Sequence, residues 1–332
     1  MSEFRRDELT ATIRAPDRGF EPVELRFEIR HDPLTGHTAR ILHGANLLPR
    51  SEFDLAALGE ETRPNCPFCT DRIESVTPKI PEAIVPMGRV HVADAVLFPN
   101  LLAYSQYSSV SVYSPALHFL PLEQMSTRLL GDNLTAQIDF ARAVIRHDPN
   151  ATWISINANH MLPSGSSVFH PHLQGSVNSI PTTMQRLLAS TDAVQFARYL
   201  EHERDAGERL IAETSNVTWL ASFAPIGPAE VRAFIPEVAS PVELDDDIVE
   251  ELATGITAVL HLYAELGFQS FNLALYGAPP ETDGYPLNLR LICRSNVELL
   301  YRSDATWLER LHWEAATDLV PEDVAARARA YF

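Results

Sequence analysis

The chain has 332 residues, 45% apolar and 21% charged, which is enough to bury a sizeable core in one large domain or two smaller ones. Its net charge of −18, from 44 acidic against 26 basic residues, argues against a nucleic-acid polymer or an anionic membrane as partner; local groups can still meet a compact phosphorylated substrate. The opening Met1-Ser2-Glu3-Phe4-Arg5-Arg6 lacks the apolar core of a signal peptide, no run is long enough to span a bilayer, and three cysteines make no disulfide framework, so a reducing cytoplasm is the expected setting.

In chain order, Val23-Glu24-Leu25-Arg26-Phe27-Glu28-Ile29-Arg30 alternates strictly and predicts a half-buried strand. Asp32-Pro33-Leu34-Thr35-Gly36 supplies a turn, and Thr38 to Leu42 can return as its partner. Beyond residue 90 the chain runs through two similar successions. The first has strands near 92–98, 102–106 and 109–114, a helix from about Leu122 to Arg146, a strand at Thr152–Asn157, a Gly/Ser loop and a strand over 168–177. A connecting helical stretch at 182–213 leads to the second: Val217–Phe223, Val231–Ile235, a helix from about Asp245 to Leu266, Phe271–Tyr276, a Gly/Pro loop and Leu287–Arg294. Ile248, Leu252, Ile256, Val259 and Leu260 recur at helical spacing behind Asp245-Asp246-Asp247, where acidic groups favour a helix start. One supersecondary unit used twice, antiparallel strands backed by a helix, predicts an α+β fold.

The chemistry gathers in Phe169-His170-Pro171-His172-Leu173-Gln174. On a strand, His170, His172 and Gln174 share one face, and burying two imidazoles and an amide there is costly unless they are paired or bound. The second unit puts Asn288, Arg290 and Ile292 at the matching places, so reacting groups belong to the first. Cys66-Pro67-Phe68-Cys69 is a C-x2-C knuckle that aims two thiolates at one tetrahedral metal, zinc being the usual occupant. A redox dithiol normally opens a helix after a strand, whereas this one follows the loop-like Glu61-Thr62-Arg63-Pro64-Asn65; two ordinary cysteines are the third reading. His118 and His170 taken singly are core histidines, and with the knuckle they complete a closed Cys2His2 set. The loop from Asn157 to Ser167, with Asn159, Gly165, Ser166 and Ser167, lets backbone and hydroxyl groups approach an anion, or is an ordinary polar connection. Cys293 is a lone thiol in a strand and reads as core.

Taken together, Cys66-x-x-Cys69, Ser114-Pro-x-x-His118 and Asn159…Gly165-Ser-Ser167…His170-Pro-His172-x-Gln174 resemble galactose-1-phosphate uridylyltransferase and its nucleotidyltransferase relatives in the histidine-triad superfamily. Asp32–Gly36, Phe98-Pro99-Asn100 and Pro321-Glu322-Asp323-Val324-Ala325 resemble that family's N-terminal hairpin, nucleoside-binding turn and C-terminal segment. The resemblance implies two tandem histidine-triad-like units, each an antiparallel half-barrel backed by helices: a catalytic unit over 1–205 with a zinc site, and a unit over 206–332 without the catalytic histidines. It implies His172 as a nucleophile that becomes a nucleotidyl-histidine, Gln174 as a phosphoryl contact, and Asn100, Asn159 and Ser167 as nucleotide and phosphate contacts. It implies Cys66, Cys69, His118 and His170 as zinc ligands. The implied activity moves a nucleoside monophosphate from an NDP-sugar-like donor to a phosphorylated acceptor, in a homodimer. The alternatives are a nucleotide-sugar or dinucleotide phosphorylase using inorganic phosphate, and a catalytically silent, zinc-stabilised nucleotide-binding protein.

The sequence also departs from the pattern. Ala45-Asn46-Leu47-Leu48-Pro49 stands where the family has an Arg-x-x-Arg-Pro, with Arg40 and Arg50 the nearby cations. Leu101 and Leu102 follow Asn100 in place of an acidic residue and Phe, Asn288-Leu289-Arg290 replaces the His-x-His of a second metal site, and the sugar-recognition segment matches loosely around Glu314.

Overall fold

A computed structural model describes residues 4–48, 50, 53–300 and 303–332. The chain starts with a hairpin arm. β1 (Arg6–Arg14) pairs antiparallel with β2 (Pro22–His31), Leu9 opposite Phe27, and β2 turns back onto β3 (Thr38–Leu42). Asp32 closes that turn by accepting the Leu34 and Thr35 N–H groups at 2.9 and 2.8 Å. The predicted alternation of β2 is present, but at its inner end the charged side is the buried one: Glu28 and Arg30 are buried while Leu25 is exposed. The reason is pairing. Arg30 Nε donates to Glu28 at 2.7 Å, its two NH groups donate to Glu322 at 2.9 and 3.0 Å, and its guanidinium stacks 5.1 Å above the Phe223 ring.

After α1 (Leu55–Thr62) and the short α2 (Ile73–Val76), the first unit comprises β4 (Val90–Val92), β5 (Ala95–Pro99), β6 (Tyr107–Val112), α3 (Thr127–His147), β7 (Trp153–His160) and β8 (His172–Asn178). Two connecting helices follow, α4 (Thr183–Ala189) and α5 (Ala193–Ala206). The same succession then returns as β9 (Leu210–Glu213), β10 (Thr218–Ala221), β11 (Val231–Ile235), α6 (Asp246–Glu265), β12 (Ser270–Tyr276) and β13 (Leu287–Arg294). All ten strands form one antiparallel sheet in the order β4-β5-β6-β8-β7-β12-β13-β11-β10-β9, with β7 against β12 as the seam. β14 (Ala315–Thr317) joins β3 in a separate four-stranded sheet, and α7 (Pro321–Ala328) carries Glu322 to the hairpin.

One face of the large sheet carries the core. Ser126 caps α3 and Asp245 caps α6, each accepting an N–H three residues on. Leu130, Leu134 and Ile138 of α3 and Leu252, Ile256 and Val259 of α6 pack with Ile156, Leu173, Leu273 and Leu289 of the strands. Gly175 permits a close approach there: a Cβ at that position would stand 2.2 Å from Gln137 Oε1 of α3. The other face is covered in part, the hairpin turn at Asp32 and Leu34 lying over the second unit. Phe68 and Ile73 pack over Val96, Phe98, Val110 and Val112 at one end, and α5 packs over Leu220 and Phe234 at the other. Between them Gln174 of β8, Asn157 and Asn159 of β7, Asn272 of β12 and Ile292 of β13 are part-exposed and floor a trough, while Asn288 and Arg290 of β13 are buried.

The stretch expected to be helical over 182–213 ends in strand β9, which pairs with β10, and the first long helix starts at Thr127, capped by Ser126, rather than at Leu122. Three further expectations are corrected. Residues 102–106 form no strand; Asn100 Oδ1 accepts the Leu102 N–H at 3.0 Å and bends the chain away from the ladder. β7 runs on to His160, because Phe271 of β12 pairs with that residue, so Asn159 is a strand residue rather than part of the loop. β8 begins at His172, so His170 belongs to the bend before it.

Candidate active site

The knuckle and two distant histidines converge. Ligand atoms of Cys66, Cys69, His118 and His170 all lie within 4.8 Å of one another, and all four side chains are buried. Cys69 Sγ is 3.3 Å from His118 Nδ1 and 3.8 Å from His170 Nδ1, and Cys66 Sγ is 3.6 Å from His170 Nδ1. Sulfur and nitrogen ligands placed tetrahedrally about one zinc stand roughly 3.3–3.8 Å apart, so the set has the size of a metal centre. The outer ring nitrogens are engaged: His170 Nε2 donates to the Ser114 carbonyl and His118 Nε2 meets Thr62 Oγ1, both at 2.9 Å, which leaves the Nδ1 lone pairs aimed inward. Burial, with Cys66 alongside, pushes the Cys69 thiol up to about 12, and burial pushes His170 down to about 3. Electron-pair donors crowded in a dry site behave this way, and a divalent cation would reverse the effect on the thiols.

His172 opens β8, with Val112 as its ladder partner on β6. Its Nδ1 is 2.8 Å from the His170 carbonyl oxygen, which can only accept, so Nδ1 carries the proton and Nε2 the lone pair. Burial pulls its basicity down, only partly offset by that hydrogen bond, which favours the neutral ring. Phe68 of the knuckle meets the ring edge-on at 5.6 Å between centroids. The Cys2His2 cluster therefore adjoins both the carbonyl that sets the tautomer, from His170, and the aromatic wall, Phe68 of the knuckle. Gln174, two residues on, faces the trough opposite Asn157, and Ser167 is exposed at the end of the preceding loop. Asn159 faces the same trough from β7, and Asn100 stands at the end of β5 with its oxygen tied to the turn. The expected site residues thus fall into the Cys2His2 cluster, the trough beside it, and a turn at the far strand end.

The cations are placed differently from expectation. Arg40 is paired with Glu314, and Arg50 lies over the Phe268 ring at 5.0 Å, packed on the helix side of the sheet. Pro49 of the altered arginine motif falls outside the described residues. Arg294, from the second unit, is the basic group at the trough, and it reaches Asn272 at 2.5 Å. Sequence reading missed both residues. Asn272 is a polar residue on the strand face opposite Phe271, Leu273 and Leu275, which was a usable signal; the seam that brings it to Asn159 was not readable. In the second unit, Arg290 and Arg232 lie buried against Glu230 and Asp32 at 2.9 and 3.1 Å, an ion-paired filling at the place of the first unit's imidazoles.

No family model matches the chain. An uncharacterized protein from Archaeoglobus fulgidus is 29% identical over 334 residues, covering 98% of each chain. Among solved structures, ADP-glucose phosphorylase from Arabidopsis thaliana, with ADP-glucose bound, superimposes with a TM-score of 0.67 at 18% identity over 91% of this chain and 98% of that one. A uridylyltransferase superimposes with a TM-score of 0.58 at 22% identity, over 91% and 98%. The fold is the one shared by ADP-glucose phosphorylase and uridylyltransferase. The resemblance read from the motifs holds at the level of the fold, and within this uridylyltransferase-like fold the chain is a divergent variant: no histidine occurs on β12 or β13, and arginine ion pairs fill that place. No helix among the described residues is long and apolar enough to cross a membrane.

Proposed function

We propose that the protein is a nucleotidyl-transferring enzyme working through a covalent intermediate on His172. The observation that carries this is the tautomer: with Nδ1 committed to the His170 carbonyl, the Nε2 lone pair is unshared by any described protein group and borders the trough. In the first half-reaction Nε2 bonds to the α-phosphorus of a nucleoside diphosphate compound as the phosphorus–oxygen bond to the leaving phosphate breaks. In the second, a phosphate oxygen of the acceptor bonds to the same phosphorus and the phosphorus–nitrogen bond breaks, restoring the ring. Gln174, whose side-chain amide has no described partner, donates to a phosphoryl oxygen, and Ser167 and Asn159 supply further donors as charge builds there. Cys66, Cys69, His118 and His170 would hold a zinc ion, whose chemical contribution is charge and rigidity in a closed four-ligand site. Asn100 is assigned to the nucleoside end.

The acceptor is better read as inorganic phosphate than as a sugar phosphate. Glu314, the loosely matching sugar-recognition residue, is tied to the hairpin, accepting from Thr38 Oγ1 at 2.9 Å and pairing with Arg40, so both of its oxygens are engaged by β3. The protein would then release a nucleoside diphosphate, working as a phosphorylase. To test this, the enzyme is incubated with UDP-glucose, ADP-glucose and related donors and weighed intact. A nucleotidyl mass gain is expected, and it is absent from His172→Gly. Discharge by inorganic phosphate but not by sugar phosphates supports the phosphorylase; discharge by sugar phosphates alone assigns a transferase. No adduct with any donor would refute the covalent mechanism.

A further inference from the structure

We infer that Asn272 and Arg294 are positioning residues that fix the polarity of the Asn159 amide, so that its N–H bonds and not its oxygen face the trough. The inference rests on the proposed nucleotidyl-transfer reading for what those N–H bonds meet, but the polarity follows from the hydrogen-bond chemistry alone. A guanidinium has donors and no acceptor. Arg294 is held by Asp304, Nε to Oδ2 at 2.7 Å and NH2 to Oδ1, and Asp304 also accepts the Ser295 N–H at 2.9 Å. Burial works against ionising that carboxyl, and the Arg294 and Ser295 hydrogen bonds more than offset it, so the anchor stays charged.

Arg294 NH1 then points at the Asn272 side chain 2.5 Å away, which must therefore present its oxygen. The amide nitrogen of Asn272 is turned to the other side, where the carbonyls of Ser164 at 3.0 Å and Ala158 at 3.2 Å can only accept. Its two hydrogens are shared among those carbonyls and a third, nearest acceptor, the Asn159 side chain at 2.6 Å, so Asn159 must offer Oδ1. Its own Nδ2 is left over. It borders Gly165 of the Gly/Ser loop, 4.0 Å from where a Cβ would stand, and no described protein group accepts from it. Two asparagine amides can each be turned over without changing shape, and a chain of fixed donors and fixed acceptors at both ends removes that freedom. Phosphoryl oxygens are acceptors, so an Asn159 held the other way would set oxygen against oxygen. The second unit, which has no reacting histidine, thereby orients a contact of the first across the β7–β12 seam.

The test compares wild type, Asn272→Asp, Asn272→Ala, Asn159→Ala and the double variant Asn159→Ala/Asn272→Asp in calorimetric titrations with UDP and ADP, beside a neutron map of the unliganded wild-type protein. Asn272→Asp offers only oxygens, forces Asn159 to turn over and should weaken binding by about tenfold or more. Asn272→Ala merely frees the amide and should cost a few-fold. In the Asn159→Ala background the Asp substitution should cost nothing further, because it acts through Asn159. Wild-type affinity in Asn272→Asp, or the same loss with and without Asn159, overturns the relay. So does a map with Asn159 Oδ1 toward the trough, which decides the matter even where Asn272→Asp fails to fold. A map with Nδ2 outward on a protein that binds neither nucleotide would support the relay and refute the nucleotide site instead.

Discussion

Asp32→Asn isolates the charge that locks the N-terminal hairpin to the second unit. Asp32 is 2% exposed and its partner Arg232 is 0% exposed, so neither charge is screened by water. Oδ1 accepts the Leu34 and Thr35 N–H groups of the turn, whereas Oδ2 accepts from Arg232 NH1 at 3.1 Å. Asparagine keeps the turn contacts with its oxygen and places an NH2 group against the guanidinium, donor against donor. Two buried guanidiniums, Arg232 and Arg290, are then left with one carboxylate, Glu230. Breaking a buried pair from one side costs about 3–5 kcal/mol, so the melting temperature should fall by about 4–7 °C at pH 7. Removing both partners should cost much less. Nε and NH2 of Arg232 have no hydrogen bond in the folded protein, so Asp32→Asn/Arg232→Met also removes donors that folding leaves unsatisfied.

The same carboxyl sets a pH dependence. Burial raises its pKa, and Arg232, His37 and Arg290, with the turn N–H, more than offset this, so the folded value lies below the ordinary 3.8. A depressed carboxyl stabilises fully above its unfolded pKa and loses that contribution as the pH falls through the folded value. Urea unfolding from pH 6 downward should therefore show wild-type stability declining below about pH 4, with a shallower decline in Asp32→Asn. A loss under about 1 kcal/mol in Asp32→Asn, or a double variant as unstable as the sum of its parts, would refute the buried-pair reasoning.

Metal analysis should find about one zinc per chain in protein purified without chelator, and Cys69→Ser should lose it and melt lower, because one thiolate of a closed tetrahedral set is gone; equal zinc in the variant would refute the cluster. Gly255→Ala on α6 puts a Cβ 2.1 Å from Cζ2 of the buried, rigid Trp219 ring. A gain of about 1 kcal/mol in helix propensity is outweighed by overpacking of about 3 kcal/mol, so thermal unfolding should show a net loss near 2 kcal/mol. An unchanged melting curve would mean that the ring does not press on the helix.

Much of this molecule was legible without coordinates, for a local reason. Strand and helix periods, the acidic start at Asp245, and the His-Pro-His-x-Gln spacing depend on neighbours a few residues away. The two-fold use of one β-strand and helix succession could therefore be read directly, with β11 and β13 ending where their patterns end. Misreadings came where a distant partner overrode the local pattern. Glu28 and Arg30 turned inward because Glu322 supplied a carboxylate from nearly 300 residues away, and β7 outran its predicted end because β12 gave it a ladder partner. The resemblance named Cys66, Cys69, His118 and His170 together, but only the fold brought their donor atoms within 4.8 Å of one another. Which arginine stands beside Asn272 and Asn159 was likewise a tertiary outcome. Arg40 and Arg50 were claimed by Glu314 and Phe268, and Arg294 arrived across a seam between strands that no local pattern specifies, because hydrogen bonds between sheet edges depend on where whole units dock.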